Sequence, residues 1–575
     1  MRTTGALFFA LIPLIRRETR THLSEVCIFL YLCPASREAS APLRGDKSSY
    51  IAMKKTLLLG LIALTAAPAA HAGGLLNNTS LHALYLRSLA RNASLAIDAT
   101  YYNPAGLVFA NDGWRFSINS QTVLQRRDIT ASFAPFAYSA NYTGPYSSQE
   151  TVATKRFEGK ATAPIVPTLM ASYKKGDWAF SAVAGVFGGG GKASFTSGLP
   201  QFEANVALVP TITQAIAQKA TAMIATLPAG ALSPQAQAGF AKFIDPLKAA
   251  NTYSVDSKLE GLQYVFGLQA GASYKINQHL SAYLGARLSY AYNTYTGYIR
   301  NIQVSGADGA MHHAPTYFGA IAAGAKAAEP IVNNLPETLK QQVQPILAVP
   351  GQLAQKTLDK RIEVKQTGIG LAPIVGLNFN YEGLNVGARY EFRTAIRVKN
   401  TTEANDSGME QFADGAKVAN DLPAVLGVGL SYRILPTLTA AVSYNHFFEK
   451  SANMAGDKQK TLKGNTNEYL FGVEWNALDW LDVSGGVQIT HKGVSDAYQS
   501  NIHFDMSSTS YGLGVGLHLT KEAQLNLAYM ISSYGDHKKA VSTYAAQPAL
   551  GIALPGSEVY TRKNQIFSIG LDYTL

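Results

Sequence analysis

From Trp114 to the C-terminus the chain repeats one unit: an alternating run of about ten residues, as a tilted membrane strand requires, then a tight turn, a second run and a longer connection. Phe266, Leu268, Ala270, Ala272 and Tyr274 alternate with Gly267, Gln269, Gly271 and Ser273. The pattern recurs as Leu426, Val428, Leu430 and Tyr432 against Gly427, Gly429, Ser431 and Arg433, and as Phe567, Ile569, Leu571 and Tyr573 against Ser568, Gly570 and Asp572. Successive strand side chains point to opposite faces, so this periodicity predicts strands with one apolar and one polar face. Short turns at 174–177, 275–279, 382–383, 433–437, 476–479 and 520–524 join twelve such strands, and 114–126 with 560–575 make fourteen. An even count with both ends on one side satisfies closure.

A soluble sandwich also alternates, so the polar face decides. It is rich in Gly, Ser, Asn and Gln and carries Arg287, Arg389, Glu391, Arg393 and Glu474, as a wet lumen would. The apolar faces end in Tyr173, Tyr274, Tyr381, Tyr432, Trp475 and Tyr573, each just before a short turn or the C-terminus. Aromatics recurring at one height form a girdle where lipid meets water. Outside the leader region no apolar run reaches the roughly 18 residues of a helical span. The fold expected is an all-β transmembrane barrel of about 14 antiparallel strands, multi-pass in a bacterial outer membrane.

The start of the chain fits export. Met53 opens MKKTLLLGLIALTAAPAAHA, with a charged end, an apolar run and Ala70-His71-Ala72 as a small-residue cleavage site. Residues 53–72 are therefore expected to be a signal peptide and Gly73 the mature start; 1–52 are expected to be a mis-called upstream extension. Both cysteines, Cys27 and Cys33, precede the cleavage site, so no disulfide or thiolate-metal framework is expected. Residues 1–72 hold nine of the 49 Lys and Arg and four of the 38 Asp and Glu, which lowers the net charge from +11 to +6. The basic character is thus poor support for nucleic-acid binding.

Two connections are too long for plain loops. In 196–254, Leu208, Ile212, Ile216, Met223 and Leu227 fall on one helical face and Ser233-Pro234 starts a second helix. In 305–360, Leu339, Val343 and Leu347 repeat the pattern after Pro336. Helical caps packed on one another and a ligand surface are both open readings.

Ahead of the strands, residues 98–107 read DATYYNPAGL. Pro104 fixes its own φ and pushes Asn103 out of the helical region, while Gly106 permits close packing. With Ala93, Asp98 and Asn103-Pro104-Ala105-Gly106-Leu107 followed by fourteen strands and helical insertions after the third and fifth, the chain resembles the FadL/TodX-type family of outer-membrane transport proteins for fatty acids and aromatic hydrocarbons. Its glycine-leucine-rich mature start and long insertions look most like Bacteroides-type members. The resemblance implies that 73–113 form a hatch in the lumen, with Asp98, Asn103, Pro104, Ala105 and Gly106 part of the gate, ahead of a barrel over 114–575. It also implies uptake of hydrophobic small molecules by capture in extracellular loops, passage to a lumenal pocket and lateral release through the wall.

By alternation Arg287, Arg389 and Arg393 face the lumen, where a guanidinium would suit a carboxylate head group. Pairing with Glu391, Glu474 or Asp98 is the alternative. For the exit, a turn pairing Tyr173 with Trp178 puts Pro167 opposite Ala184 and Pro164 opposite Phe187, beside Gly185 and the run Gly188, Gly189, Gly190, Gly191. Proline removes a ladder donor and glycine leaves no side chain to fill the wall. Pro373 and Pro423 permit the simpler account that prolines mark strand entries.

An adhesin or structural anchor with the helical loops as binding surface is the alternative function, against which a plug of some forty residues argues. No enzyme is expected: His279, His446, His491 and His518 are scattered, and no Ser nucleophile motif accompanies them. His312-His313 reads as polar loop, and the glycine run lacks the Lys-Ser/Thr of a phosphate loop. No cofactor, metal or nucleic acid is expected. The partners expected are a hydrophobic solute, outer-membrane lipid and lipopolysaccharide, and the barrel assembly machinery, with the chain a monomer.

Overall fold

The computed structural model describes residues 77–144, 152–226, 233–333 and 337–575. The expected leader, the mature start at Gly73 and Leu227 lie outside these residues.

Fourteen antiparallel strands close into a barrel: β1 (Gly113–Ser132), β2 (Thr154–Lys175), β3 (Trp178–Phe195), β4 (Tyr253–Lys275), β5 (Leu280–Ser305), β6 (Lys360–Tyr381), β7 (Leu384–Glu391), β8 (Val425–Leu435), β9 (Leu438–Phe447), β10 (Thr466–Leu478), β11 (Leu481–His491), β12 (Ser508–His518), β13 (Ala523–Tyr534) and β14 (Ile552–Thr574). Closure is made by β1, which pairs with β2 and, from Arg115↔Thr574 to Ser132↔Ser557, with β14. The six short turns fall where the alternation places them. Four further short strands extend the wall on the long-loop side: Met311–His313 on β5, Arg397–Asn405 on β6 with Lys417–Ala419 beside it, and His537–Gln547 on β14.

The outer surface is what water would not tolerate. Ile369 and Leu371 are 69% and 62% exposed, and Leu268, Leu284, Phe471, Ile569 and Leu571 are likewise exposed. A band of such side chains all round the wall requires lipid. At the short-turn rim Trp114, Trp178, Tyr274, Tyr381, Tyr432 and Trp475 are exposed, with Trp114 against Tyr173 at 4.7 Å and Trp178 against Tyr274 at 4.8 Å between ring centres. The protein is a transmembrane β-barrel of the outer-membrane type, and no described helix is long and apolar enough to span a bilayer.

The wall is uneven in height. β4 and β5 have 23 and 26 residues, far more than the roughly 9–11 that cross a bilayer, whereas β8, β9 and β11 have 10 or 11. On the tall side the insertions form four helices: α3 (Pro200–Ala225), α4 (Pro234–Ala249), α5 (Ala314–Asn333) and α6 (Glu337–Lys356), numbered after α1 (Ala83–Ser88) and α2 (Ala99–Tyr102) within the lumen. Leu208, Ile212 and Ile216 of α3, Leu247 of α4, Phe318 of α5 and Leu353 of α6 share one core with Phe157, Tyr295 and Ile362 of the wall. The helices are thus packed caps seated on the strand ends.

Candidate functional site

Residues 77–110 lie inside the barrel and are almost entirely buried. α1 begins at His82, whose Nδ1 accepts the Leu84 N–H at 3.0 Å. Arg87, at the end of α1, is fully buried and reaches three strands, donating to Ser484 at 3.0 Å, Asn526 at 2.6 Å and Glu474 at 2.8 Å. Arg91 then grips Asp98 by two parallel bonds at 2.6 and 3.0 Å, and Ser94 bonds the same carboxylate at 2.6 Å. Asp98 therefore closes a loop of the lumenal segment on itself. Pro104 opens a two-turn 3₁₀ helix over Pro104–Phe109, where its missing N–H costs nothing. The freed carbonyls face the wall: Ser273 donates to Pro104 O and Ser281 to Ala105 O, both at 2.6 Å. The side-chain amide of Asn103 meets that of Asn378 at 2.7 Å and donates to Ser94 O at 3.0 Å. A Cβ on Gly106 would lie 2.5 Å from that amide, so Gly106 is the residue Asn103 requires.

The wall is carved to admit this segment. A Cβ on Gly472 or Gly486 would come within 2.1 or 2.2 Å of Ser88 O, one on Gly512 within 2.2 Å of Leu86 O, and one on Gly387 within 2.2 Å of Asn92 O. The glycines of the polar face mark where lumenal backbone lies against strand backbone rather than open water.

The three arginines all have partners. Arg287 and Glu391 form a fully buried two-bond pair, the longer bond 2.8 Å; Arg287 also bonds Gln269 at 2.7 Å and stacks on Phe187 at 4.0 Å. Arg389 donates to Tyr101 O and covers the Tyr101 ring at 4.1 Å. Arg393, half-exposed, bonds Asp421 at 3.1 Å. Of the pairings left open by the alternation, Arg287 with Glu391 is made, whereas Glu474 and Asp98 are held by Arg87 and Arg91.

The β2–β3 ladder is interrupted. Pairing runs from Lys175↔Trp178 to Leu169↔Ala184, stops, and resumes at Thr162↔Lys192. Residues 163–168 and 185–191 are left out, and they contain Pro164, Pro167, Gly185, Gly188, Gly189, Gly190 and Gly191. The register differs by two from the one expected, which set Tyr173 opposite Trp178; Tyr173 pairs with Phe180. The reason is Gly176: at φ +57° it closes a tighter turn than the sequence spacing suggested. The outer neighbours stay paired through bulges, β1–β2 at Gln121/Val123 and β3–β4 at Val186/Gly188 and Gly189/Gly191. Inside the gap, Ala163, Val166 and Val186 form a small apolar cluster with Val123 and Tyr264. Outside it Pro164, Ile165 and Pro167 are exposed to lipid. From the lumen, Asn77 bridges to Gly188, while Asn78 bonds Phe187 O and Val186 O.

Two cavities flank these parts. One of about 210 Å³ lies under the lumenal segment beside Arg91, Glu474 and Arg433. The other, of about 40 Å³, lies between the wall and the loops carrying Lys458, Tyr498 and His503; Gln263 lines it and pairs in register with Gly191 at the edge of the gap. Neither Asn77 and Asn78 nor Lys458 and His503 stand out in the sequence, because no periodicity governs them.

His82 lies beside Ser117 at 2.9 Å and Asp572 at 3.2 Å, but both meet its Nε2, and Ser117 donates to Asp572. A triad needs its Ser and Asp on opposite ring nitrogens, so this is a hydrogen-bonded anchor. No group of described residues has metal-ligand geometry.

No known protein-family profile matches the sequence, and no curated protein matches it. Among solved structures, a Pseudomonas aeruginosa FadL homologue superposes with a TM-score of 0.52 at 14% identity, covering 87% of this chain and 99% of that one. The Pseudomonas putida toluene transporter TodX gives 0.44 at 12% identity over 84% and 95%, and the Ralstonia pickettii toluene transporter TbuX 0.36 at 14% over 83% and 94%. With fourteen strands, a lumen-filling N-terminal segment and near-complete coverage of the FadL homologue, this chain has the fold of the FadL-type outer-membrane barrels.

Proposed function

We propose that the protein takes up hydrophobic small molecules, long-chain fatty acids or similar apolar compounds, through the outer membrane. The solute is captured among the helical extracellular loops, passes to a lumenal pocket, and leaves sideways between β2 and β3. The observation that carries this reading is the interrupted ladder at 163–168 and 185–191, apolar on both faces and placed in a barrel that is otherwise closed. An apolar molecule gains about 25 cal/mol per Å² on leaving water for lipid, so an exit into the bilayer is downhill where an exit into aqueous periplasm is not. The lumenal segment, with Asp98, Asn103, Pro104, Ala105 and Gly106, closes the straight aqueous route. Asn77 and Asn78 form the inner side of the side gate. The two hydrogen bonds from Asn78 to β3 contribute about 0.5–1.5 kcal/mol each, a barrier that thermal motion crosses readily. No step alters the solute chemically, so the protein acts without catalysis.

Uptake of labelled dodecanol and dodecanoate by cells lacking and carrying the protein tests the reading. Faster accumulation of at least one in the carrying cells is expected. Equal rates for both, with the barrel present in the outer membrane, would contradict uptake.

A further inference from the structure

Lys399 and Lys417 stand directly opposite each other where the short strands Arg397–Asn405 and Lys417–Ala419 pair, and both are exposed. Like charges at directly opposed positions, about 4.5–5.5 Å apart at Cβ, repel. Lys365 of β6 joins them: Lys399 pairs with Thr367, so Lys365 is its diagonal neighbour on the same face, within reach of a long side chain. Among the described residues none of the three lysines is in an ion pair, and Lys365 Nζ lies 5.3 Å from the centre of the Tyr292 ring. Arg397, on the same face, shares the single carboxylate of Asp421 with Arg393, at 3.5 and 3.1 Å. Glu363 and Glu403 stand further toward the loops, and Glu363 is already bonded by Arg361. The patch is therefore a concentration of positive charge that the chain itself leaves uncompensated.

Its height on the wall decides what covers it. Ile369 and Leu371 follow Lys365 and Thr367 on the same outward face of β6, and the exposed apolar series continues through Val375, Leu377 and Phe379. From Ile369 to Phe379 is about 33 Å of strand, or about 25 Å across the bilayer at the ~40° tilt of such barrels, which is the full apolar band. Lys365, Lys399 and Lys417 thus sit at the edge of that band on the long-loop side, the outward end of an outer-membrane barrel. We propose that this patch is a docking site for the phosphorylated glycolipid of the outer leaflet, lipopolysaccharide: the three ammonium groups hold a phosphate of its lipid A by charge-assisted hydrogen bonds, and its acyl chains run down the wall over Ile369 and Leu371. A soluble anion would need only the cations; the apolar face continuing directly beneath them singles out an amphiphile. A bound phosphate also removes the repulsion between Lys399 and Lys417, so the lipid fastens the two short strands to each other. The site lies on the outside of the barrel, apart from the solute's route, and does not depend on the uptake reading.

Binding of bis-phosphorylated and of dephosphorylated lipid A to the purified full chain in detergent tests the proposal. The native protein is expected to bind the phosphorylated form at least tenfold more tightly. Lys365→Gln with Lys399→Gln and Lys417→Gln is expected to abolish that preference, whereas Lys219→Gln with Lys242→Gln and Lys248→Gln, an equal loss of charge on α3 and α4, should keep it. Retained heat-modifiable gel mobility confirms each barrel. The phosphorylated lipid should also raise the temperature at which the folded gel band converts to the unfolded one, in the native chain and not in the first variant. Equal binding of the two lipids, a preference that survives the first variant, or one that vanishes in the second would overturn the site. Displacement of the phosphorylated lipid by an equal concentration of inorganic pyrophosphate would show a site for free anions and would overturn the lipid assignment as well.

Discussion

Asn78 holds two successive carbonyls of β3: its backbone N–H donates to Phe187 O and its side-chain amide to Val186 O, each at 2.8 Å. These are carbonyls inside the stretch of β3 that β2 leaves unpaired, so a residue near the start of the lumenal segment substitutes for a missing neighbour strand. If this contact is the inner face of the gate, weakening it should speed passage. Asn78→Ala removes one bond of about 1 kcal/mol and should raise the uptake rate of a labelled apolar solute about fivefold where gate opening limits it. A rate equal to the native one with an intact barrel would show Asn78 to be structural.

Arg287 and Glu391 make a buried pair with no solvent to replace either partner. Arg287→Met alone should destabilise the barrel by about 3–5 kcal/mol, because the Glu391 carboxylate is then buried without compensation. Arg287→Met with Glu391→Leu should recover most of that loss. The temperature at which the folded gel band converts to the unfolded one measures both; equal loss in the single and double variants would show that the pair does not act as a unit.

Gly472 has no room for a side chain, with a Cβ falling 2.1 Å from Ser88 O. Gly472→Ala should leave the strands paired and lift the lumenal segment at an overpacking cost of about 1–3 kcal/mol. Trypsin should then cut after Arg87 or Arg91, which are buried or nearly so in the native chain. Native resistance in the variant would place the lumenal segment elsewhere.

The strand count, the turns and the helical insertions were legible in the sequence because each carries its own period: Phe266 to Tyr274 alternates at two, and Leu208, Ile212 and Ile216 recur at the helical spacing. What long-range packing decides was not legible. The β2–β3 register missed by two, since φ at Gly176 is not written in the spacing. Gly387, Gly472, Gly486 and Gly512 read as small residues of a wet face, yet they record contact with the lumenal backbone. The extra strands Arg397–Asn405 and His537–Gln547 lie outside the apolar band, so no lipid-facing alternation announces them. Lys458 and His503 meet only because two irregular loops fold over the short side of the barrel.

Side exit is the central claim, and a reversible staple at the gap tests it most directly. A Cβ on Gly185 would lie 3.5 Å from Thr168 Cβ, within disulfide range, and the described residues contain no native cysteine. Thr168→Cys with Gly185→Cys joins β2 to β3 at the edge of the unpaired stretch. With the disulfide formed, solute binding to the purified protein should be unchanged and uptake into cells should fall at least tenfold, and a reductant should restore it. Uptake that proceeds at the native rate through a barrel shown to be fully cross-linked would contradict release between β2 and β3.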